Sequence, residues 1–470
     1  MDKSDLPSIL RPIQQLKMSN VDVFTSILDS QNATQRRVIF NLRQQGILSP
    51  DSRVVMSVHP TAAVTTGFLP IGVGIGACIE TATLRCSTRV LATNDQFGSH
   101  YFVHRGVHTK SQKQNIDMVL DGGCSNVGNS PNVDGAYSVD VASAIYSNKT
   151  TALVPAKYKP VQSLTDCPLY SLSLSDLFPM MKDMMLPLQF IPLVTIELTL
   201  RQQANPTTGV TMNFSAAPVS SETTYGLNNF QMHVDYLSYS QEIMNEVRDK
   251  IYSDVGMPII YSDLAVTTTS IPGVVQPASN AVVSVDVTRE IGSAGLKVKN
   301  VVIVERNENG NALFGRYRSD APIHVPEYQF RYNNRLVYNR KMFNPSFMRN
   351  EVEGVLRFPF SVPNCVYSHD VSNDFFIAGT GNNGRQNELM DSAVTFEGQS
   401  PVLFAGTNFV TGIDLRKGPK GSGTNIMHKN ILYERTQKFS RDDYSKIDIT
   451  MFVEYERSFI IRDGLVLVST

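Results

Sequence analysis

The segment 194–201 reads VTIELTLR and alternates strictly between apolar and polar side chains. Its apolar residues are Val194, Ile196, Leu198 and Leu200. In a β-strand successive side chains point to opposite faces of the sheet. The alternation therefore predicts a strand with one face in a core and the other face toward solvent.

The same alternation recurs in both halves of the chain. It is found in 230–236 (FQMHVDY), 283–288 (VSVDVT) and 447–455 (IDITMFVEY), where Phe452 is the one residue that breaks it. Between such runs lie clusters of Gly, Asn, Pro and Ser, which are typical of turns and loops. These clusters cover 121–135, 305–311, 379–387 and 417–425. Many short strands separated in this way predict an all-β fold of the sandwich or barrel type.

Two further details concern hairpins. Asn333 and Asn334 stand between two strand-like runs, and Asn tolerates the positive φ of a tight hairpin turn. Near the C-terminus, Arg462-Asp463-Gly464 predicts a tight turn closed by glycine. The apolar run 465–468 after it predicts a last strand that is buried on both faces, in the core of the second barrel.

Helical patterns are few. Ser175 is predicted to cap a short helix over 177–186 (LFPMMKDMML), whose methionines are expected to fill the core. A second helix is predicted over 240–252 (SQEIMNEVRDKIY). Its apolar face is predicted to consist of Ile243, Val247 and Ile251. Glu246 and Lys250 are predicted to form an i,i+4 ion pair.

The length of 470 residues exceeds one ordinary core and predicts two domains. The second helix lies near the midpoint, and a fresh series of strands follows it. We therefore predict an N-terminal arm over 1–20, a first β domain over 21–255 and a second over 256–470.

Composition excludes several classes of function. The 42 basic and 43 acidic residues leave no net charge for broad binding of nucleic acid. Neither a signal peptide nor a membrane-spanning run is recognisable, so we expect a soluble protein made inside the cell.

The five cysteines contain no Cys-x-x-Cys pair, and they are expected to be small buried hydrophobes rather than zinc ligands or disulfides. They are Cys78, Cys86, Cys124, Cys167 and Cys365.

Three histidines spaced by four residues raise the question of a metal site. His100, His104 and His108 would share a face on a helix, whereas a strand would spread them too far apart for one ion. Gly106 and the β-branched Val103 and Val107 disfavour that helix, and the Glu of a His-Glu-x-x-His motif is missing. We predict ordinary polar histidines and no metal site.

No catalytic motif is recognisable either. The stretch 72–76 (GVGIG) lacks the Gly-x-Gly-x-x-Gly spacing and precedes a strand-like run where a phosphate-binding loop would need a helix. The stretch 418–425 lacks Gly-Lys-Ser/Thr, and no Gly-x-Ser-x-Gly occurs. Asp442-Asp443 is expected to be a solvated turn. We predict no catalytic residue, no cofactor and no enzyme activity.

The order of segments resembles the double jelly-roll major capsid proteins of polinton-like viruses and virophages. The segments that carry this resemblance are 36–58, 76–91, 97–123, 186–200, 228–247, 328–355, 409–426 and 452–470. In that family an accessory helical excursion follows the first strands, and the histidine stretch falls there. The glycines at 72–76 and the three histidines have no counterpart that we recognise in the family.

The resemblance implies two tandem jelly-roll barrels with short accessory helices. It also implies a homotrimer with a pseudo-hexagonal outline that tiles an icosahedral shell together with neighbouring capsomers and a minor penton protein. The protein would lie in the virion after synthesis in the host cell, without sequence-specific binding of nucleic acid. Two alternatives stay open: a tandem β-sandwich carbohydrate-binding protein or adhesin, and a zinc enzyme that uses the histidines.

Overall fold

A computed structural model describes twelve segments of the chain. They are 21–33, 36–60, 74–101, 169–201, 225–278, 281–307, 327–332, 335–336, 410–416, 423–426, 430–441 and 444–469. Within them the fold is built from twenty strands in four antiparallel sheets, with a few short helices. The predicted all-β class is confirmed.

The first half of the chain forms two sheets. Sheet I has the order β1-β10-β5-β8, with β4 beside β10, and sheet II has the order β2-β3-β9-β6-β7. The strands of sheet I are β1 (Asp22–Asp29), β4 (Ile47–Leu48), β5 (Arg53–Pro60), β8 (Leu169–Ser173) and β10 (Tyr225–Ser238). Those of sheet II are β2 (Asn32–Ala33), β3 (Arg37–Asn41), β6 (Ile79–Cys86), β7 (Arg89–Asp95) and β9 (Val194–Leu200).

The second half forms two more sheets. Sheet III has the order β11-β19-β13-β16, with β17 beside β13 and β20 beside β19, and sheet IV has the order β12-β18-β14-β15. The strands of sheet III are β11 (Met257–Ile271), β13 (Lys297–Asn307), β16 (Val410–Asp414), β17 (Thr424–Asn425), β19 (Ile447–Arg462) and β20 (Leu465–Ser469). Those of sheet IV are β12 (Val283–Ile291), β14 (Glu327–Tyr332), β15 (Arg335–Leu336) and β18 (Ile431–Phe439).

In the described part of the chain, four short α-helices accompany the sheets. They are α1 (Phe97–Tyr101), α2 (Leu174–Leu177), α3 (Met180–Asp183) and α4 (Gln241–Ile251), besides 3-10 turns at Gly74–Cys78 and Leu188–Phe190. No helix in the described segments has the length and apolar character needed to span a membrane.

The alternating segments form strands, as predicted. In β9 the four apolar residues named above are buried, and the residues between them are only partly exposed. β14 pairs with β15 through Arg331 with Leu336 and Tyr332 with Arg335. Asn333 and Asn334, which stand between these two strands, lie outside the described residues. Sheets I and II enclose one core, and sheets III and IV enclose another.

The helix α4 follows the last strand of the first half and precedes β11. Its Lys250 Nζ lies 3.5 Å from Glu246 Oε1, which confirms the predicted pair. Val247 and Ile251 are buried, but Met244 completes the buried face in place of Ile243. Among the described strands, no strand from β1 to β10 pairs with a strand from β11 to β20. The domain boundary near residue 255 stays a prediction.

The predicted cap at Ser175 is wrong by two residues. The helix α2 begins earlier, and Ser173, which has an extended backbone, accepts a hydrogen bond from Asp176 N through its Oγ at 3.2 Å. The helical segment is also split into α2 and α3, because Pro179 has no N–H to continue the first helix.

The predicted turn before the last strand is confirmed. Asp463 and Gly464 both have positive φ, at 52° and 72°, and Arg462 pairs with Leu465. Burial of the last strand on both faces is wrong, because Leu465 is 60% exposed whereas Val466 is 5% exposed. Leu467, on the same face as Leu465, is also exposed, so one face of the strand stays open. Val466 also packs into the first core rather than the second.

Removal of residues 464–470 is expected to lower the free energy of unfolding by about 2–3 kcal/mol, because it takes Val466 and its strand pairing away from the first core. Thermal unfolding of the truncated and full chains measures this effect. A chain lacking only residues 469–470 keeps the buried side chain and is the control. Equal midpoints for the full chain and the longer truncation would show that β20 contributes no stability.

Candidate functional site

The two halves of the chain meet in a contact that we call the junction. It is formed by β7, α1 and α3 from the first half and by β11, β13, β19 and β20 from the second. Buried side chains from both halves belong to one continuous apolar cluster. The second-half members are Met257, Ile259, Tyr261, Leu264, Val302, Val304, Phe452, Phe459, Ile461 and Val466.

Phe452, which breaks the alternation of β19, lies at this junction. Its neighbours Met451 and Val453 face the second core, so Phe452 points to the opposite face of the sheet. There it is 1% exposed, and its ring centre lies 5.4 Å from that of His100. The irregularity in the sequence therefore marks a strand that is buried on both faces, one of them against the first half.

Polar contacts also cross the junction. Tyr261 donates its hydroxyl hydrogen to the carbonyl oxygen of Leu91 at 2.6 Å. Arg457 Nη1 donates to the same carbonyl at 3.3 Å and to Asp263 Oδ2 at 2.8 Å. Tyr455 also donates to Asp263 Oδ2, at 3.2 Å. This network fixes the register of sheet III against β7.

Burial changes the titration of this network. It raises the pKa of the Asp263 carboxyl above its ordinary value, although hydrogen bonds from Leu264, Arg457 and Tyr455 and the charge of Arg457 act against the rise. Burial also raises the pKa of Tyr455 to about 12. A raised pKa means that the folded chain binds the proton of Asp263 more tightly than the unfolded chain does. The contribution of Asp263 to the free energy of unfolding therefore becomes more favourable to the folded state as the pH falls through the raised pKa. The junction should therefore not loosen in acid through Asp263.

Replacement of Tyr261 by Phe should lower the free energy of unfolding by about 1–2 kcal/mol, because it removes a buried hydrogen bond and keeps the ring. Chemical denaturation measures the change. The matched control is Tyr252→Phe, since the Tyr252 side chain is more than half exposed and its change should have almost no effect. A Tyr261→Phe protein as stable as the control would contradict the assigned role of the hydroxyl.

The structure describes one of the three spaced histidines. His100 is buried on α1, and its Nδ1 accepts a hydrogen bond from Asn94 Nδ2 at 3.2 Å. Asn94 Nδ2 also donates to the carbonyl oxygen of Leu177 at 3.0 Å, which fixes the orientation of the amide. His100 Nδ1 is thus an acceptor in a packed contact. His104 and His108 lie outside the described residues, and the described segments hold no cluster of three metal-ligating side chains.

Gly74 and Gly76 lie within the 3-10 turn Gly74–Cys78, which leads directly into β6, so no α-helix begins after them, and Gly72 lies outside the described residues. Gly76 has a packing role, because a Cβ there would lie 3.1 Å from Phe97 Cε1. Cys78 and Cys86 are buried, as predicted, and burial raises the pKa of Cys86 to about 11. The other three cysteines and Asp442-Asp443 lie outside the described residues.

Sequence reasoning missed a buried ion pair in the second core. Arg435 on β18 pairs with Glu305 on β13, and both side chains are almost fully buried. Tyr433 donates to Glu305 Oε1 at 3.2 Å. A signal was available: in the alternating segment 431–439, Arg435 occupies a position that the pattern assigns to the core.

Comparison with known proteins gives matches among solved structures alone. No family model matches the chain, and no curated protein matches it in sequence. One match is the crystal structure of the PBCV-1 protein VP54, fitted into a cryo-EM reconstruction of the virophage Sputnik. It has 9% sequence identity and a TM-score of 0.56, and the match covers 97% of this chain and 98% of that chain. A second is the Sputnik virophage structure, with 12% identity and a TM-score of 0.56 over 95% and 88%.

A third match, with a PBCV-1 virus capsid structure, has 11% identity and a TM-score of 0.52 over 97% and 98% of the two chains. Identities this low establish the fold alone, and the matches span almost the whole chain. The chain has the double jelly-roll fold, with two barrels in tandem and short accessory helices. The fold predicted from the resemblance is confirmed.

Proposed function

We propose that the chain is the major capsid protein of a virus, with the double jelly-roll as its structural unit. The observation that carries this proposal is the match of both barrels together to structures of viral shells, over nearly the full length of each chain. A fold on its own does not fix a function, so we also draw on physical features of this chain.

Two physical features support the role. The two barrels share one continuous apolar cluster and a polar network, so they can act as a single rigid block. The near-zero net charge lets many copies pack together without long-range repulsion. Both properties suit a protein whose task is to fill a shell, and neither calls for a pocket.

The finer assembly is part of the proposal. Three copies with two barrels each form a trimeric capsomer with a pseudo-hexagonal outline, and such capsomers tile an icosahedral shell with a minor protein at the five-fold positions. The protein then resides in the virion after synthesis in the host cell. It acts through its surfaces, without a catalytic residue, a cofactor, a metal ion or sequence-specific contacts to nucleic acid.

Light scattering coupled to size exclusion tests the trimer. At micromolar protein and moderate salt we expect about three times the 52.1 kDa mass of one chain. A strictly monomeric species at every concentration would contradict the proposal. If that monomer also bound an oligosaccharide, the carbohydrate-binding alternative would replace it.

A further inference from the structure

The short helix α1 attaches the first half of the chain to sheet III. The side chain of Gln96, just before α1, accepts a hydrogen bond from β19. Ser99 on α1 accepts one from Arg306 on β13, and the ring of His100 packs on that of Phe452. Three contacts of the junction therefore depend on the position of this one helix.

The neighbouring Asn94 determines which nitrogen of His100 carries the proton. The amide nitrogen of Asn94 donates to His100 Nδ1 at 3.2 Å and to the carbonyl oxygen of Leu177 at 3.0 Å. An amide turned the other way would place Asn94 Oδ1 against that carbonyl oxygen, and both atoms are acceptors. His100 Nδ1 is therefore an acceptor, and the neutral ring carries its proton on Nε2.

A second proton on the His100 ring would conflict with this packing. A charged imidazole has a hydrogen on both nitrogens, so Nδ1–H would point at the amino group of Asn94. Water cannot relieve the conflict, because His100 is 4% exposed and Asn94 is 0% exposed. The positive charge would also lie on the helix that Arg306, itself a cation, already contacts. The conflict at Nδ1 arises whichever group Nε2 contacts.

The acidic side chains on the elements around α1 are engaged elsewhere or exposed. Neither α1 nor the 3-10 turn Gly74–Cys78 contains an acidic residue, and their titratable side chains besides His100, Cys78 and Tyr101, are uncharged when protonated. Glu80 on β6 is exposed. The others bond to residues other than His100, and they are Asp95 on β7, Asp176 on α2, Glu305 on β13, and Asp448 and Glu454 on β19.

We propose that His100 makes the junction sensitive to acid, because uptake of a proton by its ring releases α1 from Asn94 and loosens the contact between the two halves. This inference goes beyond the proposed function and holds whether or not the chain forms trimers. A histidine in an unfolded chain binds its proton at about pH 6.5. Because the folded chain disfavours that proton, the folded state loses stability as the pH falls below about 6.5. The effect is opposite in sign to that of Asp263.

Denaturant titrations of the full chain at about pH 7.5 and about pH 5.5, at one protein concentration, test the proposal. Over this interval the equilibrium constant of unfolding should rise about tenfold more in the wild type than in His100→Asn. Asparagine keeps an acceptor for Asn94 and takes up no proton. Both proteins contain Asp263, so its opposite effect cancels in the comparison. His233→Asn, which removes a half-buried histidine of β10 outside the junction, is the matched control and should behave as the wild type.

Hydrogen exchange of the wild type gives a second readout that needs no variant. After correction for the effect of pH on the chemistry of exchange, the amides of α1 should lose protection at about pH 5.5, whereas those of β9 should keep it. Equal protection of α1 at both pH values would overturn the proposal, as would a His100→Asn protein with the pH dependence of the wild type. A wild type that gains stability in acid relative to His100→Asn would overturn it too, since the folded chain would then favour the proton on His100.

Discussion

Replacement of Glu305 by Gln is expected to lower the free energy of unfolding by about 3–5 kcal/mol, because it leaves the guanidinium of Arg435 buried without its counter-charge. The side chains of Arg435 and Glu305 are 0% and 2% exposed, so water cannot replace the lost partner. Burial opposes the charged form of Arg435, yet the charge of Glu305 and the hydroxyl of Tyr433 raise the pKa of Arg435 above its ordinary value. The pair joins β13 of sheet III to β18 of sheet IV through the second core.

Two further variants separate the ion pair from simple packing. Glu305→Leu combined with Arg435→Met should recover most of the lost stability, since a buried pair can often be replaced by apolar side chains of similar size. Glu197→Gln is the matched control: Glu197 pairs with Arg37 at 2.6 Å, but Arg37 is half exposed, so the loss should stay below about 1 kcal/mol. Equal losses for Glu305→Gln and Glu197→Gln in denaturant titrations would contradict the account.

The second large effect is expected at the junction. Replacement of Phe452 by Ala should lower the free energy of unfolding by about 3–5 kcal/mol, because it leaves a cavity between the two halves where the ring now packs on His100. Phe452→Leu, which keeps most of the volume, should lose much less. Tyr252→Ala removes an aromatic ring that is more than half exposed and serves as the control.

Calorimetry adds a second readout for Phe452→Ala. If the junction holds the two barrels in one cooperative unit, the wild type should unfold in a single transition, and the variant should show a broadened or divided one. A Phe452→Ala protein with the midpoint and the transition width of the Tyr252→Ala control would show that the ring does not join the halves.

Local patterns in the sequence predict the strands well, because alternation depends only on neighbouring residues and on one face being buried. Alternation is sufficient to predict β9, and the glycine at 464 is sufficient to predict the hairpin turn. Local patterning fails for 465–468, where an apolar run suggests burial on both faces although β20 has an open face. It also fails at Ser175, where the side-chain cap comes from Ser173. The first error arises because the pattern alone does not tell which element covers a surface, and the second because it does not fix the residue at which a short helix begins.

The junction and the buried ion pair could not be derived from local patterns. Phe452 and His100 are far apart in sequence, as are Glu305 and Arg435, and their contacts depend on how the sheets pack. The sequence nevertheless contains a mark of each: an aromatic residue at a polar position of one strand and a charged residue at an apolar position of another. Such breaks in alternation are useful predictors of a second buried face or of a buried polar contact.

Electron microscopy of the purified protein tests the central proposal most directly. We expect particles with three-fold symmetry and six lobes, two from each copy, which together give a pseudo-hexagonal outline. Particles that consistently show two lobes and no symmetry, at concentrations where the protein is fully folded, would contradict the proposal that this double jelly-roll protein is the building block of a viral shell.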